Sequence, residues 1–105
     1  MCGITGIVLR DGEPVTEELI RNMTDSMTHR GPDDEGIHIH GNVGLGMRRL
    51  SIMDVVGGSQ PLFSKEGSIA MVGNGEIYNY RELAEQLKSS HQFRTSTDME
   101  VVAPM

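Results

Sequence analysis

The only cysteine in the chain is residue 2, and the run that follows it, Ile4 to Leu9, is short and rich in β-branched residues. Such a run, closed by Asp11-Gly12, reads as a buried strand ending in a turn. The fold must then carry its one thiol at the leading end of a strand, on a rigid element. Cysteine is small enough for the preceding methionine to be removable. Without Met1, one residue would hold both a thiol and a free α-amine. Thiols are mostly protonated at neutral pH and need a base or a lowered pKa to attack well. An α-amine titrates at about pH 8, so it can take and return a proton close to neutrality. A nucleophile and its base on one residue are already within reach of each other. The ordinary alternative is a small buried hydrophobe at an ordinary start.

Pro14 and Thr16 open a helix, with Glu17 and Glu18 in its first turn, where negative charge is favoured. Leu19, Ile20, Met23 and Met27 recur at helical spacing and give it one apolar face. Gly31-Pro32 stops it. Ile37 and Ile39 alternate with His38 and His40 in a half-buried strand. Gly41-Asn42 is a turn, and Val43, Leu45 and Met47 alternate again, so the two strands pair as a hairpin. The second strand leads into Arg48-Arg49-Leu50-Ser51-Ile52. Gly57 to Pro61 is loop, and Ile69 to Val72 is a further strand, followed by Asn74-Gly75. Asn79 with Glu82 has capping-box spacing and Tyr78 with Leu83 that of a hydrophobic staple. A helix starts there, with Leu83 and Leu87 inward. A short strand near Gln92 to Arg94 precedes Thr97 and Glu100, which repeat the capping-box spacing and open a last helix through Val101, Val102 and Met105.

A length of 105 residues suits one small domain. Thirteen glycines predict many tight turns or close backbone approaches. A net charge of −6 argues against non-specific binding to nucleic acid or an anionic membrane. One cysteine excludes an internal disulfide and fits the reducing cytoplasm. No apolar run approaches the roughly 20 residues of a membrane span, and the N-terminus lacks the basic region and long apolar core of a signal peptide. A soluble cytoplasmic protein is expected.

Asn74-Gly75 reads in two ways. It is a common hairpin turn, or its amide and its glycine N–H are donors for a tetrahedral oxyanion, with glycine letting the backbone approach the reacting carbon. Arg49, beside Arg48, is half of a solvated basic pair or a bidentate clamp on a substrate carboxylate. Asp98 complements a helix dipole or holds a substrate ammonium group. The two clamps together would recognise a free amino acid. His29-Arg30-Gly31-Pro32-Asp33 reads as a helix stop. His38 and His40 share a strand face, but a metal site needs three or four ligands and no third is nearby. No phosphate-binding loop is present.

Met-Cys-Gly-Ile at 1–4, His-Arg-Gly-Pro-Asp at 29–33, Arg-Arg-Leu-Ser-Ile at 48–52, Asn-Gly-Glu-Ile-Tyr-Asn at 74–79 and Thr-Asp-Met-Glu at 97–100 resemble, in order, the glutaminase domain of class II glutamine amidotransferases. Leu-Ser-Ile-Met-Asp at 50–54, Gln60-Pro61 and the Glu-Ile-Tyr-Asn ending are most similar to glutamine-hydrolysing asparagine synthetases. The resemblance implies an α+β fold: the four-layer αββα sandwich of N-terminal nucleophile hydrolases, two antiparallel sheets face to face with helices outside. It implies Cys2 as nucleophile, its α-amine as base, and Asn74 and Gly75 as oxyanion donors. Arg49 would bind the glutamine α-carboxylate, Glu76 and Asp98 the α-ammonium, while Leu50 and Ile52 line the pocket. It also implies a C-terminal synthetase domain, where ATP and magnesium activate aspartate and the ammonia released from glutamine converts it to asparagine. No metal or cofactor is expected within these residues. The chain corresponds to roughly half of a family glutaminase domain, so residues 1–105 are expected to be incomplete at the C-terminus. Two other readings stay open: a class II amidotransferase with another acceptor, and an inactive remnant that at most binds glutamine.

Overall fold

The computed structural model describes residues 2–50, 60–94 and 97–105. Strand β1 covers Gly3–Val8, helix α1 Glu17–Asp25, and strands β2 and β3 Asp34–His40 and Val43–Arg49. Two-residue strands β4 (Leu62–Phe63) and β5 (Ala70–Met71) follow. Helix α2 spans Tyr80–Leu87, and a single 3-10 turn covers Asp98–Val101. The first three strands form an antiparallel sheet in the order β1-β3-β2, and β4 and β5 form a second antiparallel pair. This is an α+β arrangement of antiparallel sheets.

The β2–β3 hairpin forms as expected, with His40 opposite Val43. Its turn needs a left-handed residue, and Gly41 supplies it at φ +58°. β3 lies between the other two, so its side chains meet a neighbour on both sides and alternate between the two faces. Thr5 and Ile37 both pair with Gly46, while Ile7 and Ile39 both pair with Gly44. That face receives α1. Thr16 caps the helix, its hydroxyl accepting from the Leu19 N–H at 3.2 Å. Ile20 and Thr24 are fully buried against the sheet. A Cβ on Gly44 would press on Val15 and Ile20, and one on Gly46 would strike the hydroxyls of Thr24 and Thr5. The glycines let the helix sit close, and burying a side chain such as Ile20 contributes about 1.5–3 kcal/mol.

The opposite face carries Gly36, His38, Met47 and Arg49. Here the chain beyond residue 59 packs. A Cβ on Gly36 would collide with the Gln60 carbonyl, at the cis Gln60–Pro61 peptide. The His38 ring meets Phe63 edge-on, with centroids 5.2 Å apart. Met47, Leu62 and Val101 are buried in this region of the chain.

Several local expectations are corrected. Helix α1 ends at Asp25, not at Gly31-Pro32. The Ser26 and Thr28 hydroxyls donate to the carbonyls of Met23 and Asp25, at 2.6 and 2.7 Å, a local competition that breaks helices. Asn79 sits at the N-cap of α2 without a side-chain cap bond, and its φ −98°, ψ 27° is not the extended geometry that a cap needs. Tyr78 is 91% exposed, so no staple forms with Leu83. Leu83 and Leu87 are half-buried, and α2 buries none of its residues fully. Gln92 to Arg94 is not a strand, and the last helix is only a short 3-10 turn, Asp98–Val101. Thr97 makes no side-chain cap bond, so a full capping box does not form, and the Glu100 carboxylate accepts from the Arg94 N–H at 3.0 Å. Strand β5 is shorter than Ile69–Val72, and its partner β4 was not anticipated. Ser51, Ile52 and Gly57–Ser59 lie outside the described residues, as does Met1. Among the described residues no helix is long and apolar enough to cross a membrane.

Candidate functional site

Cys2 immediately precedes β1 and is half-buried, not enclosed in the core. Gly3 pairs with Arg48, so Cys2 and Arg49 are the next residues outward on two adjacent strands. The Cys2 thiol points across this end of the sheet to the Leu50 carbonyl, with Sγ to oxygen 3.9 Å. A β-branched strand paired along its whole length holds the sulfur in place from behind.

Asn74 reaches the same point from another part of the chain. Its Nδ2 donates to the Cys2 carbonyl at 3.2 Å. A carboxamide nitrogen carries two N–H donors, so this bond uses one of them. Gly75 is exposed, and a Cβ there would meet nothing within 4 Å. No hairpin follows Asn74-Gly75; the chain runs through Glu76, which is exposed, into α2. Asp98 braces this segment from below, its Oδ2 accepting from the Ile77 N–H at 2.6 Å. Its carboxylate thus has a defined partner outside its own turn, beyond any role at a helix dipole.

Arg49 is 7% exposed and Arg48 has a side chain 11% exposed, which excludes a solvated basic pair. Arg48 Nε donates to the Gly31 carbonyl at 2.8 Å, and its Nη1 lies 3.1 Å from Glu35 Oε2. The Asp33 N–H donates to the Arg49 carbonyl at 3.0 Å, and Pro32 bridges to Arg49. The chain can lie this close because residue 31 is glycine: a Cβ there would collide with the backbone of Arg48 and Arg49.

Residues 29–33 therefore have a role other than stopping α1, which has already ended at Asp25. They dock on the end of β3, and Arg30 Nε donates to the Cys2 carbonyl at 3.2 Å. That carbonyl accepts from Arg30 and Asn74 together, which fixes the residue bearing the thiol from two directions. Sequence reasoning gave Arg30 no role. The signal for it is the Arg-Gly-Pro spelling, since a buried glycine before proline marks a close backbone approach. Gln60 was also passed over; its side chain makes two bonds to Gly73.

The structure brings Cys2, Leu50 and Asn74 together directly, places Arg49 beside them by strand register, and ties Asp98 to the Asn74–Ile77 segment. Ile52 lies outside the described residues. His38 belongs to a ring contact with Phe63. Among the described residues no group of three or more His, Cys, Asp or Glu side chains is placed to hold a metal ion.

The family model for the glutamine amidotransferase domain matches residues 1–105. Asparagine synthetase (glutamine-hydrolyzing) 2 of Bacillus subtilis (strain 168) is 45% identical over 105 residues, covering 97% of this chain and 14% of that protein. Asparagine synthetase (glutamine-hydrolyzing) 1 of Lotus japonicus is 42% identical over 104 residues, 98% of this chain and 18% of its own length. Asparagine synthetase (glutamine-hydrolyzing) 3 of Arabidopsis thaliana matches with the same identity and the same shares. The chain thus spans less than a fifth of these curated relatives. A match over every residue, with the thiol, the asparagine and the arginine gathered at one end of the first sheet, means that the chain belongs to the glutamine amidotransferase domain family.

Proposed function

We propose that this domain hydrolyses the side-chain amide of glutamine to glutamate and ammonia through a thioester on Cys2. The observation that supports the reading is the hydrogen bond from Asn74 to the Cys2 carbonyl, because it holds a side-chain amide, the proposed oxyanion donor, beside the residue proposed as nucleophile. With Met1 removed, the α-amine takes the thiol proton as Sγ adds to the amide carbon. Charge on the tetrahedral oxygen meets the second N–H of Asn74 and the N–H of Gly75. The amine returns the proton to the leaving nitrogen, the C–N bond breaks, and ammonia departs. Water then adds to the thioester with the amine again as base, which frees glutamate and restores the thiol.

In this reading Arg49 holds the substrate α-carboxylate and Asp98 and Glu76 the α-ammonium, with Leu50 and Ile52 lining the pocket between. The wider fold is the αββα sandwich of N-terminal nucleophile hydrolases; α1 over one sheet, with the β4–β5 pair toward its other face, supports it. The ammonia supplies a synthetase domain that makes asparagine, in keeping with the names of the relatives; that this domain uses aspartate, ATP and magnesium is what the family resemblance implies. We place the reaction in the cytoplasm, where a lone thiol stays reduced.

The test is glutamate release from glutamine by the full-length protein, with Cys2→Ala alongside. Wild type should release glutamate and ammonia in equal amounts, and the alanine variant neither. Release by the alanine variant at a rate near wild type would sink the mechanism.

A further inference from the structure

We propose that Gln60 is a positioning residue for the oxyanion donors Asn74 and Gly75. The inference rests on the glutaminase reading above and extends it to a side chain that touches neither substrate nor nucleophile.

The β4–β5 ladder pairs Phe63 with Ala70 and Leu62 with Met71. Continuing that register sets Pro61 opposite Val72 and Gln60 opposite Gly73. The main-chain ladder ends at the Leu62–Met71 pair, before it reaches Gly73, the residue that precedes Asn74. The Gln60 side chain takes over. Its Oε1 accepts from the Gly73 N–H at 2.7 Å, and its Nε2 donates to the Gly73 carbonyl at 3.2 Å. The carboxamide thus gives Gly73 the donor and acceptor that a neighbouring strand would have given.

Gln60 is itself pinned. It is 9% exposed, and its carbonyl lies so close to Gly36 of β2 that only a glycine fits there. Gly73 has the methyl groups of Met71 and Met99 against it. The strand carrying Asn74 has already ended at Met71, and Asn74 and Gly75 are exposed. The Gln60–Gly73 pair therefore ties the donors to the first sheet, the element that carries Cys2. Oxyanion donors stabilise charge only when held in place before it develops. Loosening this tie should cut turnover and leave substrate binding, which uses Arg49 and Asp98, nearly unchanged.

The experiment compares Gln60→Leu and Gln60→Glu with wild type in the full-length protein. Gln60→Leu keeps the volume and removes both bonds; kcat should fall about tenfold or more with KM within about twofold. Gln60→Glu should be impaired at neutral pH, where a carboxylate faces the Gly73 carbonyl. Relative to wild type at each pH, it should recover on acidification, because a protonated carboxyl again offers one donor and one acceptor. A role in stability alone predicts recovery only in step with the folded fraction, which circular dichroism reads on the same samples, whereas a positioning role predicts recovery in protein that is folded throughout. Amide exchange at Gly73 is read in parallel and should be faster in Gln60→Leu. If wild type releases no glutamate, the glutaminase reading fails, and exchange at Gly73 decides the role of Gln60: faster exchange upholds the tie and equal protection overturns it. If Gln60→Leu does not fold, the pH series of Gln60→Glu decides, and a flat ratio to wild type overturns the proposal. A fall in kcat/KM that comes from KM alone also overturns it.

Discussion

The side-chain amide of Asn74 donates to the main-chain carbonyl of Cys2 at 3.2 Å, across 72 residues of intervening chain. The same carbonyl accepts from Arg30 Nε, also at 3.2 Å. Two donors from separate segments therefore converge on the peptide group of the residue with the thiol. In the proposed mechanism this is what keeps Asn74 near charge that develops beside the sulfur.

Asn74→Ala should lower kcat about a hundred- to a thousandfold, equivalent to roughly 2.7–4 kcal/mol of transition-state stabilisation. The amide is proposed to meet charge that exists only in the transition state, so KM should move little. Arg49→Ala should act the other way, mainly through KM, because an α-carboxylate carries the same charge throughout the reaction. Steady-state kinetics on both variants check the assignment. An Asn74→Ala variant with raised KM and normal kcat would reverse it.

Asp98 has two duties that substitution can separate. Its Oδ2 accepts from the Ile77 N–H, and its charge is proposed to face the substrate ammonium. Asp98→Asn keeps an oxygen for Ile77 and drops the charge; KM should rise while thermal stability holds. Asp98→Ala loses both, and a bond to a charged group is worth about 1.5–3 kcal/mol. The alanine variant should therefore melt lower than the asparagine variant. Equal melting temperatures would show that the Ile77 bond contributes nothing.

The α-amine of Cys2 can act as a base only when no residue precedes it. Active protein should therefore have the mass of a chain beginning at Cys2. A variant with an uncleavable residue before Cys2 should bind glutamine and release almost no glutamate. Full turnover by protein that quantitatively retains Met1 would remove the amine from the mechanism.

The first sheet was legible in the sequence because its signals are local and agree with each other. β-Branched residues mark β1, alternation marks β2 and β3, and Gly41-Asn42 marks their turn. The candidate residues Cys2 and Arg49 were legible because they stand at the ends of well-marked strands, whereas Asn74 lies beyond the end of β5 and was singled out by its Asn-Gly pair. What local pattern missed depends on distant partners. Glu100 has capping-box spacing, yet its carboxylate goes to the Arg94 N–H. Tyr78 has staple spacing, yet its side chain lies in solvent. Gln60 looked like loop, and its function depends on register with Gly73, which spacing along the chain cannot reveal.

Thr24 and Gly46 give the sharpest test of how α1 is seated. Thr24 is fully buried although polar. Its hydroxyl donates to the Ile20 carbonyl at 2.7 Å and stands 3.2 Å from the Thr5 hydroxyl. That pair of hydroxyls occupies the space that a side chain at position 46 would need. Gly46→Ala should therefore push α1 off the sheet and destabilise the fold by about 1–3 kcal/mol, the usual range for overpacking. Thr24→Ala alone should cost about 1–2 kcal/mol, because the Ile20 carbonyl loses a second bond and the Thr5 hydroxyl loses its partner. The double variant should be more stable than the sum of the two predicts, since each change makes room for the other. Contacting residues typically couple by about 0.5–3 kcal/mol. Recovery should be partial, because the Thr5 hydroxyl still stands on the far side of the new methyl. Denaturant melts of the four proteins complete the cycle. Strict additivity would mean that α1 does not rest on Gly46 through Thr24, and the close seating of helix on sheet would have to be abandoned.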